Sequence, residues 1–424
     1  MNYDNIKTHQ IDPSTFIANN RVVYSLAKDT VYRSNLKLMN VGFLDTAGIG
    51  AYHNRFNGSL GQIKSISIVD KGVELSKQKF VHPLMSYLNQ LGSNDIVGNV
   101  EDIKNDISVA KKLSINDGEE AGGSPAGNST DTGVGKQINT ENYPEVIEQN
   151  QNRSGELELS KLLPLLGNME YIPTNLFNDC KIVIEFYSSL EAPAYVGTDT
   201  RVRVSNASLD PVMYLMAEEV LGAEAQNAMD NISSLSWNEM EHDQVVIPRG
   251  VQNEEQISVK RVKGFDNKSV GRLLLIQEPE AFTYTVGNVI AGYGRDNSQT
   301  QKGNKLNYIV NGKTLLTDQG SDSPASRMAL TVDSMGDYVS YMGANDINLS
   351  NDANWLGDGN NLVGNADYFA VILGQKIENL QISHKRTPTN APGAGRNGQL
   401  TLHLYGEVGK SLSVGNGTYK ISYN

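Results

Sequence analysis

Ile63-Lys64-Ser65-Ile66-Ser67-Ile68-Val69, then Asp70-Lys71-Gly72, then Val73-Glu74-Leu75, is the stretch whose reading decides the fold. Ile66 and Ile68 alternate with serines at the period of a strand that buries one face. Asp with Gly supplies the positive φ of a tight reversal, so the stretch reads as a β-hairpin. A counterpart lies far downstream. Leu306-Asn307-Tyr308-Ile309-Val310 meets Asn311-Gly312 and continues as Lys313-Thr314-Leu315-Leu316. Each hairpin is followed by a short helical stretch and then by a polar insertion, Gly92 to Asn152 in the first half and Gly336 to Gly364 in the second. Two further strands follow each insertion. Residue identities hardly match between the halves, but the order of elements does, as two copies of one β-sandwich plan require.

Alternating runs recur throughout: Lys181 to Phe186, Arg201 to Val204, Gln256 to Val259, Leu273 to Ile276, Tyr368 to Leu373, Leu400 to Tyr405 and Gly417 to Tyr423. Helical candidates are short, at Gln78 to Gln90, Leu159 to Met169, Ala217 to Asn231 and Ala325 to Ser334. Strands and helices do not alternate regularly, so a doubly wound α/β sheet is excluded and the fold class is mostly β. Ile247-Pro248-Arg249-Gly250 is a Pro/Gly break that marks the boundary between halves. Asn116 to Thr140 carries six glycines among Ser, Asn and acids. That composition buries too little apolar area to offset ordering entropy and reads as a long exposed loop.

The chain of 424 residues is long enough for two large sandwiches. Its 36 Lys and Arg against 48 Asp and Glu give a net charge of −12, which excludes wrapping nucleic acid over the whole surface, since phosphate binding needs Lys and Arg. No window approaches the roughly 20 apolar residues that span a bilayer. The first twenty residues are polar, with Asp4 and Asp12, and do not read as a signal peptide. Cys180 is the only cysteine, so neither an intrachain disulfide nor a cysteine-based zinc site is available. Asn-x-Ser/Thr triplets, as at Asn57, Asn206 and Asn416, read as coincidence in an Asn-rich chain.

Catalytic and cofactor motifs fail one by one. The histidines His9, His53, His82, His242, His384 and His403 include no pair at metal-ligand spacing. Gly393-Ala394-Gly395-Arg396-Asn397-Gly398 matches a dinucleotide fingerprint, but a strand follows it where the mechanism needs a helix N-terminus. Gly133-Val134-Gly135-Lys136 is followed by Gln137, where a phosphate loop needs Ser or Thr. Gly122-Gly123-Ser124-Pro125-Ala126 lacks the last glycine of a nucleophile elbow. Asp352 to Val363 begins like a calcium loop and ends without its bidentate carboxylate. Glu218-Glu219 and Glu254-Glu255 are adjacent acids with nothing to show that they face one cleft. The reading is therefore not an enzyme, with no catalytic, cofactor-binding or metal residues and no cofactor.

Glu158-Leu159-Ser160-Lys161-Leu162-Leu163-Pro164-Leu165-Leu166, then Tyr171-Ile172-Pro173-Thr174-Asn175-Leu176-Phe177-Asn178-Asp179, leads into the strand Cys180 to Phe186. A short apolar helical turn is bounded by Pro164 and Pro173, and a half-buried strand follows. This segment resembles the strand–helix–strand stretch in the first barrel of double jelly-roll major capsid proteins, which build the shells of tailless icosahedral DNA viruses of the polinton-like, virophage and membrane-containing phage type. Ile63 to Leu75 with Met85-Ser86 is similar to the first-barrel hairpin and its helix. Leu306 to Lys313 is similar to the second-barrel hairpin, and Phe369 to Lys385 with Leu400 to Val408 to the closing strands. Its patterns are loose, but their order spans nearly the whole chain from Arg21. The long Gly92 to Asn152 insertion departs from the smallest members.

The resemblance implies two tandem eight-stranded jelly-roll β-sandwiches with short helices between strands: an N-terminal arm at 1–20, a first jelly roll at 21–248 carrying the 92–152 loop, and a second at 249–424. It implies a homotrimer with a pseudo-hexagonal outline that tiles an icosahedral shell beside neighbouring capsomers, penton and minor capsid proteins. The location implied is the virion, with synthesis and assembly inside the host cell. The two insertions are expected as outward loops. The N-terminal side is expected inward, toward membrane or genome, although Lys7 is its only Lys or Arg and specific nucleic-acid recognition is not expected. The alternative is a trimeric adhesin or fibre protein that binds glycans through its loops. A jelly-roll carbohydrate enzyme is disfavoured, because Trp237 and Trp355 are the only tryptophans for sugar stacking.

Overall fold

Both hairpins close through the same turn. Ile63–Asp70 pairs with Val73–Lys79, and Lys302–Val310 with Lys313–Thr314. The two central residues of each turn have positive φ, 48° and 80° at Lys71 and Gly72, and 51° and 81° at Asn311 and Gly312. That is the type I′ turn, whose twist suits the strands it joins. In the first hairpin the left-handed non-glycine residue is Lys71, not Asp70. Asp70 ends its strand and uses its carboxylate to accept the amide of Asp179 and the hydroxyl of Tyr419.

The computed structural model describes residues 6–17, 21–41, 51–52, 63–81, 84, 155–177, 179–186, 194–196, 200–202, 213–231, 234–251, 254–279, 284–285, 288–289, 302–316, 330–331, 333–335, 368–387, 399–415 and 418–423. The first half contributes β1 (Ile6–Ile11), β2 (Thr15–Ile17), β3 (Arg21–Ser25), β4 (Val31–Arg33), β5 (Lys37–Val41), β6 (Ala51–Tyr52), β7 (Ile63–Asp70), β8 (Val73–Lys79) and β9 (Gly155–Glu158). It continues with β10 (Tyr171–Pro173), β11 (Cys180–Phe186), β12 (Ala194–Val196), β13 (Thr200–Val202) and β14 (Tyr214–Val220). The second half contributes β15 (Ser234–Ile247), β16 (Gln256–Val262), β17 (Ser269–Pro279), β18 (Tyr284–Thr285), β19 (Asn288–Val289) and β20 (Lys302–Val310). After these come β21 (Lys313–Thr314), β22 (Tyr368–Lys376), β23 (Leu380–Thr387), β24 (Leu400–Gly415) and β25 (Thr418–Tyr423).

Sheet order identifies the architecture. In the second half one sheet runs β15-β24-β17-β22 and the other β16-β23-β20-β21. Leaving out the separate β18-β19 hairpin and the added β25, the first, eighth, third and sixth strands lie in one sheet. The second, seventh, fourth and fifth lie in the other. The first half repeats this order once β4 with β5, and β9 with β10, are taken as single interrupted strands. Its sheets are β1 on β14, flanked by β4/β5 and then β10/β9, and β3-β11-β7-β8 with β2 added beside β3. Two jelly rolls therefore stand in tandem, with β6, β12 and β13 forming a separate small sheet. Within the N-terminal twenty residues β1 pairs with β14 and β2 with β3. By hydrogen bonding β15, which precedes the break at Pro248, belongs to a sheet of the second sandwich.

Local chemistry explains the interruption of the sixth strand. Leu159–Lys161 forms a single 3₁₀ turn and α1 (Pro164–Asn168) follows, with Pro164 at a first-turn position where its missing N–H costs nothing. Leu165 and Leu166 of α1 are fully buried. The helix expected from Ala217 starts later, as α2 (Gly222–Asn231). Tyr214–Val220 is claimed by its partners β1, β4 and β5, and Gly222 at φ 71° marks the change. Similarly, Gln78 and Lys79 still belong to β8, and among the described residues of this stretch Val81 and Leu84 are helical. The expected insertions at 92–152 and 336–364 lie outside the described residues.

Each sandwich has its own core. The first is built on Ile66, Ile68, Leu165, Ile182, Ile184 and Leu215, and the second on Leu273, Leu275, Leu306, Tyr308, Ile382 and Leu404. Gly406 on β24 lies against the fully buried ring of Phe265, and a Cβ at 406 would meet Phe265 Cε1 at 2.5 Å. Gly406→Ala is expected to cost about 1–3 kcal/mol through overpacking. Denaturant unfolding measures this, and Phe265→Leu in the same chain should recover part of the loss.

Candidate functional site

The described residues gather no catalytic constellation, and no group of three or more His, Cys, Asp or Glu among them could hold a metal ion. The most elaborately built feature is the seam between the two sandwiches. It is made by the two longest strands, β15 and β24, paired without interruption from Ser234↔Ser413 to Ile247↔Leu400. At one end of this ribbon Trp237 and Leu412 enter the first core, with Leu235, Val414, Tyr419 and Ile421 packed beside them. At the other end Ile247, Leu400, Leu402, Leu404 and Val408 enter the second. Val408 and Leu412 are four residues apart on one strand and serve different cores.

Polar groups fasten the ribbon to the first sandwich. Glu239 of β15 is 1 % exposed. Its carboxylate accepts the Lys77 amide and Ser76 hydroxyl of β8, the Trp237 indole N–H, and the Lys410 ammonium at 2.8 Å. Lys410 also reaches Glu241 at 3.1 Å, and Glu241 pairs with Lys268. Burial works against the charge on Glu241, but the hydrogen bond from Lys268 and the charge of Lys410 outweigh it, so its carboxyl sits below the ordinary range. Burial likewise opposes charge on Lys410, and Glu239 with Glu241 overcomes that to raise it. Such a chain of alternating charges tolerates burial because every member has partners. Tyr423 of β25 lies near both ammonium groups, 5.2 Å from Lys268 Nζ and 5.4 Å from Lys410 Nζ.

Two long-range tyrosine contacts complete the fastening. Tyr419 donates to Asp70 at 2.9 Å, and Tyr405 donates to the Phe80 carbonyl at 2.7 Å. Phe80 has φ 49°, a left-handed conformation costly for an aromatic residue. Its ring stacks on His242 at 4.3 Å, and His242 Nε2 lies 3.0 Å from His403 Nδ1. Sequence spacing gave no hint of this histidine pair, because 161 positions separate its members.

The other residues weighed in the sequence go to separate places. Glu219 bonds His9, whereas Glu218 bonds Asn35 and approaches Arg33, so the adjacent acids have different partners. Glu255 pairs with Lys385. His384 is fully buried on β23. The Cys180 thiol is buried in the first core, where burial and then Asp70 and Asp179 push it well above its ordinary value, leaving it unreactive. His53, His82, Trp355 and the stretches at 122–126, 133–136, 352–363 and 393–398 lie outside the described residues.

No protein-family model matches the chain, and no curated protein matches it in sequence. Solved structures match in shape. The Sputnik virophage structure determined by cryo-EM superposes with a TM-score of 0.58 at 9 % identity, covering 99 % of this chain and 88 % of that one. A PBCV-1 crystal structure fitted into a reconstruction of the same virophage gives 0.55 at 10 % identity, over 99 % and 96 %. The mavirus major capsid protein gives 0.51 at 12 % identity, over 99 % and 90 %. At these identities the likeness shows the fold, which is the double jelly roll that the strand order gives independently.

Removing Glu239 would strand the Lys77 amide and half of the Lys410 coordination. Glu239→Ala is expected to destabilise the chain by about 3 kcal/mol, with Glu239→Gln costing less because it can still accept from Lys77. Unfolding followed by tryptophan fluorescence checks both, since Trp237 sits at the seam.

Proposed function

We propose that this chain is a structural major capsid protein and that three copies form a pseudo-hexagonal capsomer of an icosahedral virus shell. The observation that carries the reading is the pair of jelly rolls with one strand order, locked by a shared ribbon. Two similar sandwiches per chain, closed by a threefold axis, present six similar barrels around a ring, the shape that tiles a facet. Likeness in fold to the Sputnik and mavirus proteins, whose structures are of a virophage and of a major capsid protein, supports the same role. The role is structural and not enzymatic. Its partners are two further copies, neighbouring capsomers, and the penton and minor capsid proteins that a closed shell requires, and its place is the virion.

Exposed apolar side chains on sheet edges supply surfaces for such contacts. Ile257 and Val259 stand on the edge strand β16, 62 % and 53 % exposed, and Ile372 stands on the edge strand β22 at 66 %. Apolar edges of this kind invite association unless a neighbour covers them. Phe16 and Ile17 on β2 add another on the first sandwich. We assign the β16 edge to the contact between copies within the trimer.

Negative-stain electron microscopy of the purified chain tests the reading. A compact trimer, pseudo-hexagonal when viewed down its axis, is the expected outcome. A monomer, or a trimer drawn out into a shaft with knobs, would overturn it and point to a fibre-type glycan-binding protein. The double variant Ile257→Lys, Val259→Lys is expected to shift the trimer to monomers at micromolar concentration, as read by sedimentation.

A further inference from the structure

Beside the charged chain, the seam holds a compact group of rings. His242 on β15 and His403 on β24 share a hydrogen bond at 3.0 Å. Phe80, just past the end of β8 in the first sandwich, stacks on His242 at an interplanar angle of 28° and lies 5.1 Å from His403. The Tyr405 ring lies 5.0 Å from His242, and its hydroxyl holds the Phe80 carbonyl. Phe80 thus keeps its left-handed backbone through contacts made with the second sandwich.

The charges around this group are basic. Lys79 precedes Phe80 in the chain and acts on His242 through its charge, and Lys64 of β7 lies 5.6 Å from the Phe80 ring. The acids that flank His242 on its own strand are engaged elsewhere. Glu241 pairs with Lys268 and Lys410, and Asp243 accepts the amides of Lys263 and Gly264. His242 is half-buried, whereas His403 is 1 % exposed. Burial first, then His403 and Lys79, pushes the His242 ring down to about 2.

We propose that the His242–His403 pair makes the seam an acid-operated joint: with His242 neutral, the pair clamps Phe80 and fastens the end of β8 to the second sandwich; a proton on His242 releases Phe80, while the β15–β24 ribbon keeps the two sandwiches joined. A neutral pair has one N–H donor facing one bare nitrogen acceptor. The first added proton leaves that bond possible but places a positive charge among rings, near Lys79. The sign of the pH effect follows. A released His242 titrates near the ordinary histidine value of about 6.5, far above its value in the closed seam. The open state therefore binds more protons throughout the window between. The contribution to closure is complete above about 6.5 and falls as pH drops, by at most about tenfold per pH unit for each proton taken up. The joint belongs to the single chain and operates whether or not three copies assemble.

Hydrogen exchange of the intact chain, read by mass spectrometry between pH 8 and 5 and corrected for intrinsic exchange rates, tests it. Peptides covering 76–81 are expected to lose protection below pH 6.5 by up to about tenfold per unit, while residues 400–406, paired with β15 and β17, and the β20–β23 pairing stay protected. Peptides of β16 report trimer dissociation separately. His242→Phe keeps an aromatic ring for Phe80 to stack on, removes the titration, and is expected to flatten the dependence; His403→Gln should reduce it. An unchanged pH dependence in His242→Phe, or loss of protection at β20–β23 together with the seam, would overturn the proposal. If His242→Phe fails to fold, ring titration of the native chain by NMR decides. A His242 that titrates near 6.5 while the seam stays protected overturns the joint, and one that resists protonation until the seam opens supports it.

Discussion

Fourteen consecutive residue pairs between β15 and β24 form the constraint on which the rest of the molecule depends. A jelly roll needs its first and eighth strands side by side, and in the second sandwich these two strands are longer than that barrel uses. The surplus runs on past Gly406 and lays Trp237 and Leu412 into the first core. Burying a side chain of this size contributes on the order of 1.5–3 kcal/mol, so the ribbon couples the two cores. Glu239, Lys410 and Tyr419 then fix how the ribbon sits, because a charge or hydroxyl buried without its partner is costlier than a slightly misplaced methyl group.

That coupling bears directly on the proposed shell role. A domain pair joined only by a linker samples many relative orientations. Here β24 changes cores over the four-residue step from Val408 to Leu412, and a backbone paired with β15 throughout that step, and with β25 from Lys410 onward, cannot bend freely there. In the proposed capsomer, facet tiling would ask for six barrels at fixed angles, and a stiff pair per chain would reduce that demand to one threefold contact. The acidic balance of the chain fits a protein that meets other protein surfaces more than nucleic acid.

Local chemistry made much of the fold legible in the sequence. The Asp70-Lys71-Gly72 and Asn311-Gly312 turns, the alternation of Cys180 to Phe186 and the prolines around α1 each act over a few residues, and each was readable from pattern alone. Ala217 to Val220 misled, because its helical pattern yields to pairing with strands far away in the chain. The seam was not legible at all. Ser76 meets Glu239 across 163 positions, Phe80 meets Tyr405 across 325 and Asp70 meets Tyr419 across 349. No periodicity spans such distances, and no partner alone marks itself as belonging to a seam. The interdigitation of β15 with both cores was hidden for the same reason, since the Pro248 break draws attention to the end of the strand and away from its middle.

If one ribbon welds two sandwiches into a single body, the chain must melt as one. Differential scanning calorimetry of the purified chain measures this directly by comparing calorimetric with van't Hoff enthalpy. A single transition in which the two agree is the result the shared ribbon predicts. Two separate transitions, one for each sandwich, would contradict it and reduce the seam to a contact between independent domains.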